Sequence, residues 1–250
     1  MSIILLLLAI LPVVWLMRYV YKKDKYEKEP LGMLLKAFLF GMLAIPMDLI
    51  VVGIINSLWE GEMVFYSAFW EAGIPEELCK WIAFMMVIWN NRNFNEFFDG
   101  IVYATFIGLG FACVENIMYV FGSESFFGAV GVSLLRALLS VPGHFLFGVV
   151  MGYYLAMAKF SKENQLKYLI LSLLVPMAAH GLFDYLLMLA SELGDDMPFI
   201  SIILFVLFIY LDVKLWKLGL KKIRQLQEAS RVQHEQEFMD SVFHGNNDKN

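Results

Sequence analysis

The sequence predicts an all-α integral membrane protein: a bundle of about seven transmembrane helices, N-terminus outside and C-terminus in the cytoplasm. Three observations carry that reading. The 250 residues are 60% hydrophobic and only 17% charged, where a soluble domain carries about 25% charge. The apolar residues fall in long blocks rather than in the stripes of a surface helix. The basic residues are confined to alternate connections between those blocks.

Seven blocks approach the roughly 20 residues that cross about 30 Å of hydrocarbon. In order they are 2–17, 31–55, 67–89, 100–121, 130–158, 168–190 and 198–216. The first, MSIILLLLAILPVVWLM, has the length of a signal peptide. It lacks a basic leading stretch and a small-x-small cleavage site, so it reads as a retained span. The second contains IPMDLI, and its Asp48 stands alone, with a structural role as partner of Arg136 or Lys80 expected. The third contains GIPEELCKW, where Pro75 suits a first helical turn. A helix starting there puts Glu76 and Glu77 at a positive dipole end.

The fourth block contains FACVEN, and the fifth is long and includes Pro142. That proline predicts either a kink or a short surface helix at 126–135 ahead of the span. The sixth contains HGLFD, and the seventh ends before a polar stretch from Leu220. Residues 1–219 therefore read as one membrane domain. Residues 220–250 read as a polar cytoplasmic tail, a frayed helix ending in disorder.

The connections set the orientation. Of 19 Lys and Arg, 17 lie after spans 1, 3, 5 and 7 or at the ends facing them, and the two others are Lys80 and Arg136. The loops NSLWEGEMVFY, GSESFF and SELGDDM carry acids and no basic residue. The positive-inside rule then gives the topology stated above. Cys79 and Cys113 both fall within spans and read as buried packing residues. His234 and His244 lie in the tail and carry no expected role.

Ionisable side chains inside spans are rare and functional by default. Here they are Asp48, Glu76, Glu77, Lys80, Glu115, Arg136, His144, His180 and Asp184. At a rise of about 1.5 Å per residue, Glu76 and Glu115 lie about 9 Å below the outer edge, Asp184 about 10 Å and His180 about 16 Å. His144 falls about 15–21 Å down its span on the same arithmetic. Four helices running in alternate directions thus place their polar groups in one outer layer.

The local spacings are helical too. Lys80 can partner Glu76 at i,i+4 or Glu77 at i,i+3. Phe111 and Glu115 share a face, and so do His180 and Asp184, where a carboxylate can orient an imidazole. Each group alone has a plain structural use, as an ion pair between helices, a bonded Glu115–Asn116, a cap at the Pro142 kink or a closed His–Asp pair. Several carboxylates and two imidazoles at one level exceed what helix association needs.

With those residues in hand, the chain resembles the PrsW family of intramembrane proteases, related to the type II CAAX prenyl-protease superfamily. EELCK at 76–80 matches E-E-x-x-K, and FACVE at 111–115 matches F-x-x-x-E. HFLFG at 144–148 and HGLFD at 180–184 match two histidine motifs. The resemblance implies a peptidase that cuts a membrane-anchored protein, a single-span substrate such as an anti-sigma factor, on the extracytoplasmic side. It implies a bacterial plasma membrane, with lipid and no nucleic acid as partner.

In CAAX proteases a glutamate and a histidine activate water, and a His–Asn pair stabilises the oxyanion. Here the second motif ends in Glu115 and the last in Asp184. Two mechanisms remain open. In one, Glu76 and Glu115 share a proton, the ionised partner takes a proton from water, and His180, held by Asp184, donates to the oxyanion. In the other, Glu76, Glu115, His144, His180 and Asp184 hold a divalent metal such as zinc. Lys80 neutralises Glu77 and leaves Glu76 facing the site, with Asn116 orienting Glu115. Two other classes stay open: a proton- or cation-coupled transporter, against which no inverted repeat is visible, and a non-catalytic membrane scaffold. Flux dependent on Glu115 distinguishes the first, and assembly without proteolysis the second.

Overall fold

Backbone amides in hydrocarbon have no water to bond, so each apolar block satisfies them within a helix. The computed structural model of the chain describes residues 2–59 and 61–244, and among these there are helices and no strand. In chain order they are α1 (Ser2–Lys23), α2 (Leu31–Leu58), a single turn α3 (Val64–Tyr66), α4 (Ile74–Val87) and α5 (Asp99–Phe121). Then follow α6 (Phe126–Leu138), α7 (Ser140–Phe160), α8 (Gln165–Glu192) and α9 (Pro198–His244). A π-helical stretch, Ser67–Gly73, joins α3 to α4. Among the described residues six helical stretches are long and apolar enough to cross a membrane, α6 and α7 counting as one. The remaining apolar block is the composite that runs from α3 through the π stretch to α4.

The sheath and the core differ as lipid solvation requires. Exposed Leu, Ile, Phe and Val line α1, α2 and α9, where lipid tails replace water as the solvent. Helix α5 is the axis, packed against α7, α2 and α1. Its contacts are made at backbone distance. A Cβ on Gly41 would stand 2.0 Å from the Ile107 carbonyl oxygen, and one on Gly152 would stand 2.2 Å from that of Gly100. Small residues let the helices approach this closely, which is how helices associate where apolar burial supplies no drive.

The long fifth block resolves into two helices. The chain breaks at Leu139 (φ −118°, ψ −67°), and Pro142 falls in the first turn of α7. The Ser125 side chain caps α6 by accepting from the Gly128 N–H at 3.1 Å. Of the two expectations for Pro142, the separate helix is the one found.

The polar tail differs from expectation. Helix α9 runs on without interruption to His244, and it is docked rather than frayed. Ile223, Leu226 and Ser230 are buried. Ser230 Oγ accepts from the Phe98 N–H at 2.9 Å. Gln233 donates to the Asn95 carbonyl at 2.8 Å, and Gln227 to that of Lys23. The disorder expected at the extreme C-terminus falls beyond residue 244, outside the described residues.

Asp24, Glu29, Glu96 and Asp99 are buried at the same, basic end of the bundle. Asp24 Oδ1 and Glu96 Oε1 have no hydrogen-bond partner among the described residues. Burial pushes the carboxyl of Asp24 up to about 6, that of Glu29 to about 7 and that of Glu96 to about 8, neighbouring acids adding to the rise.

Candidate functional site

Sequence sets the local geometry before Glu76. Pro75 has no N–H to give the turn behind it, and a π turn accommodates such a gap. The Ile74 N–H accordingly bonds to the Phe69 carbonyl, five residues back. The helical path is therefore continuous into α4. Glu76 and Glu77 do not sit at a free helix N-terminus, which corrects the dipole reading of Pro75. The π stretch lies directly on α8: a Cβ on Gly73 would be 2.6 Å from the Gly181 nitrogen, and one on Gly181 2.4 Å from the Phe69 ring. That approach brings His180 to the two glutamates.

Lys80 lies at the centre. Its ammonium donates to Glu77 Oε1 at 2.7 Å, to Glu76 Oε2 at 3.1 Å and to His144 Nδ1 at 3.0 Å. The Phe111 ring centroid is 4.1 Å from the same nitrogen. An ammonium only donates, so His144 Nδ1 accepts and Nε2 carries the proton. That Nε2–H meets Glu115 Oε2 at 2.7 Å.

His180 lies between two carboxylates, with Nδ1 3.0 Å from Glu77 Oε1 and Nε2 3.3 Å from Asp184 Oδ2. Its ring stacks on Phe147 at 4.6 Å and stands perpendicular to His144, 5.2 Å away. Arg136 of α6 reaches Glu115 Oε2 at 2.7 Å and donates from Nε to Asn116 Oδ1 at 2.9 Å.

Four further expectations change against this geometry. Glu76 and Glu115 do not form a shared-proton pair, because the His144 ring separates them: Glu115 is on Nε2 and Glu76 lies 4.0 Å from Nδ1. Lys80 binds both Glu76 and Glu77 rather than Glu77 alone, although Glu77 is the fully enclosed one and Glu76 is 10% exposed. Asn116 holds Arg136 and the Ala9 carbonyl, so it acts on Glu115 only through Arg136. Asp48 is buried with Oδ1 unpartnered among the described residues. The hydrogen bonds of Lys80 and Arg136 go elsewhere.

Four side chains of metal-ligating type gather here: Glu76, Glu77, His144 and His180 offer ligand atoms within 4.8 Å of one another. Glu115 and Asp184 lie outside that group, each holding the far nitrogen of one histidine. Carboxylates placed so would orient metal-bound imidazoles. The centre itself does not fit a metal as arranged, because the one lone pair of His144 Nδ1 is already given to Lys80.

A cleft of about 790 Å³ opens beside this cluster, between α6, α8 and α9. Glu115, Arg136, His144, His180 and Asp184 line it, with Leu139, Phe183 and Phe205 among its apolar walls. Glu76, Glu77 and Lys80 lie behind the imidazoles. Exposure follows the same order, 0% for the Glu77 side chain, 16% for Glu115 and 21% for Asp184.

Glu115 lies six residues from the end of α5 and Asp184 eight from the end of α8, roughly 9 and 12 Å. The site occupies one layer at the end away from the basic connections. In the sequence Arg136 reads only as an alternative partner of Asp48, not as a partner of Glu115. Its signal was its position, since it and Lys80 are the two basic residues away from the basic end.

A family model described as PrsW family intramembrane metalloprotease matches residues 29–211. The chain is 34% identical to Protease PrsW of Clostridioides difficile (strain 630), covering 98% of this chain and 97% of that protein. It is 34% identical to Protease PrsW of Bacillus subtilis (strain 168), covering 90% and 96%. It is 35% identical to Protease PrsW of Geobacillus kaustophilus (strain HTA426), covering 90% and 93%. No solved structure matches. With likeness running over nearly the whole of both partners, the chain belongs to the PrsW family and is a membrane peptidase, a multi-pass protein of the bacterial membrane.

Proposed function

We propose that this protein is an endopeptidase that hydrolyses a peptide bond of a single-span membrane protein on the extracytoplasmic side, an anti-sigma factor being the substrate class. The observation that carries this reading is the setting of Glu115. Its Oε2 is taken by His144 and Arg136, while Oε1 makes no hydrogen bond among the described residues. A carboxylate fixed through one oxygen and open through the other, beside an apolar-walled cleft, is built to accept a proton from water.

The other residues follow from their contacts. His144 positions Glu115, its tautomer set by Lys80. Glu77 fixes the His180 ring through Nδ1, and the Nε2–H, which rests on Asp184 at the cleft, leaves that carboxylate to donate to the oxyanion as the tetrahedral carbon forms. No step runs through a metal. The outer-side assignment rests on the site lying at the end opposite the basic connections, and the anti-sigma factor on the family resemblance.

The test is co-expression with a single-span anti-sigma factor tagged at both ends. Glu115→Gln and His180→Ala are expected to remain inserted and folded while releasing no fragment. Normal cleavage by both variants overturns the reading.

A further inference from the structure

We propose that the Lys80 ammonium is the resident cation of this site, standing among Glu76, Glu77 and both histidines where a divalent metal would otherwise bind. The inference deepens the peptidase reading and rests on it only for its activity readout.

The first ground is exclusivity. A neutral imidazole has one lone pair in its ring plane. The lone pair of His144 is on Nδ1, 3.0 Å from Lys80 Nζ, since Nε2 donates to Glu115. A metal can take His144 through Nδ1 only if Lys80 withdraws.

The second ground is saturation. An ammonium has three N–H bonds, and Lys80 has three acceptors at 2.7, 3.0 and 3.1 Å, with the Phe111 ring against it. Lys80 is 2% exposed. An unpaired charge so deep would be very costly, and breaking one partner from a buried pair leaves that cost uncompensated. The third ground is tethering. Lys80 is on the same helix as both glutamates, at i+3 and i+4, so the cation is built into the chain and cannot be lost by dilution.

Lys80 is thereby a positioning residue. It fixes the His144 proton on Nε2, and that proton fixes Glu115. Arginine would not replace it, because a planar fork cannot converge three donors on these acceptors.

The experiment reads metal content first. Wild-type protein in detergent, assayed by elemental analysis, is expected to carry far less than equimolar transition metal, to take up no added cobalt(II), and to keep its cleavage rate in a chelator. Lys80→Met opens the site and is expected to bind cobalt(II) in equimolar amount with the visible absorption of a four-coordinate ion. Wild type that retains an equimolar metal, lost in His144→Ala, overturns the proposal. So does a folded Lys80→Met that ignores cobalt, because the place is then no cation site. If Lys80→Met does not fold, the wild-type measurements decide alone. A metal-free protein that cleaves nothing defeats only the peptidase reading, and an active, metal-loaded one defeats only this inference.

Discussion

Glu115 accepts a hydrogen bond from His144 at 2.7 Å, and the other nitrogen of that ring rests on the Lys80 ammonium at 3.0 Å. The carboxylate facing the cleft is therefore governed by a cation two bonds behind it. Replacing Glu115 by Gln, which keeps the shape and removes the base, is expected to lower kcat by about 10²–10⁴-fold. Single-turnover cleavage in detergent measures this.

His144→Ala removes the link rather than the base. The expected loss is about 10–100-fold, the usual consequence of removing a group that orients a reacting one. The loss should appear in kcat with KM unchanged, since His144 acts through Glu115. An effect confined to KM would contradict the assignment.

The contact between the π stretch and α8 makes Gly181 sensitive. Gly181→Ala drives a methyl to 2.4 Å from the Phe69 ring, whereas Gly53 of α2 has nothing within 4 Å of an added Cβ. Gly181→Ala is expected to cost about 1–3 kcal/mol and to reduce cleavage by moving His180, while Gly53→Ala leaves both unchanged. Thermal melts and cleavage rates on the same preparations test the pair.

At the basic end the sign of the pH dependence follows from burial. Asp24, Glu29 and Glu96 hold protons up to about 6, 7 and 8 in the fold, above the ordinary carboxylate range of the unfolded chain. The folded state binds more protons, so stability falls as pH rises from that range through about 8. Lys28, Glu27, Asp99 and Glu237 are the charged neighbours. Hydrogen exchange of α9 beyond Leu220, corrected for intrinsic rates, should therefore speed up with rising pH. Glu96→Gln should flatten the trend.

The crossings, the polar layer and the motif residues were legible because each rests on composition or on helical spacing within one segment. EELCK shows that Lys80 can reach two acids, but nothing local shows that it also reaches His144, which is 64 residues away. The intervening ring that parts Glu76 from Glu115 was hidden for the same reason. The π stretch escaped because its cause, Pro75, serves equally well as the start of a helix. The docked tail escaped because its buried side chains, Ile223, Leu226 and Ser230, are sparse among charges. Their partners are loop amides and carbonyls, which carry no sequence signature.

Helix α9 is 47 residues long without a break, about 70 Å end to end. One end supplies Phe205 to the cleft wall, and the far end is pinned to the Phe98 N–H and the Asn95 carbonyl. A rod of that stiffness makes the two places mechanically one object. Ser230→Ala, which removes the acceptor for the Phe98 N–H, is therefore expected to alter cleavage at the distant mouth, which cleavage rates of that variant check.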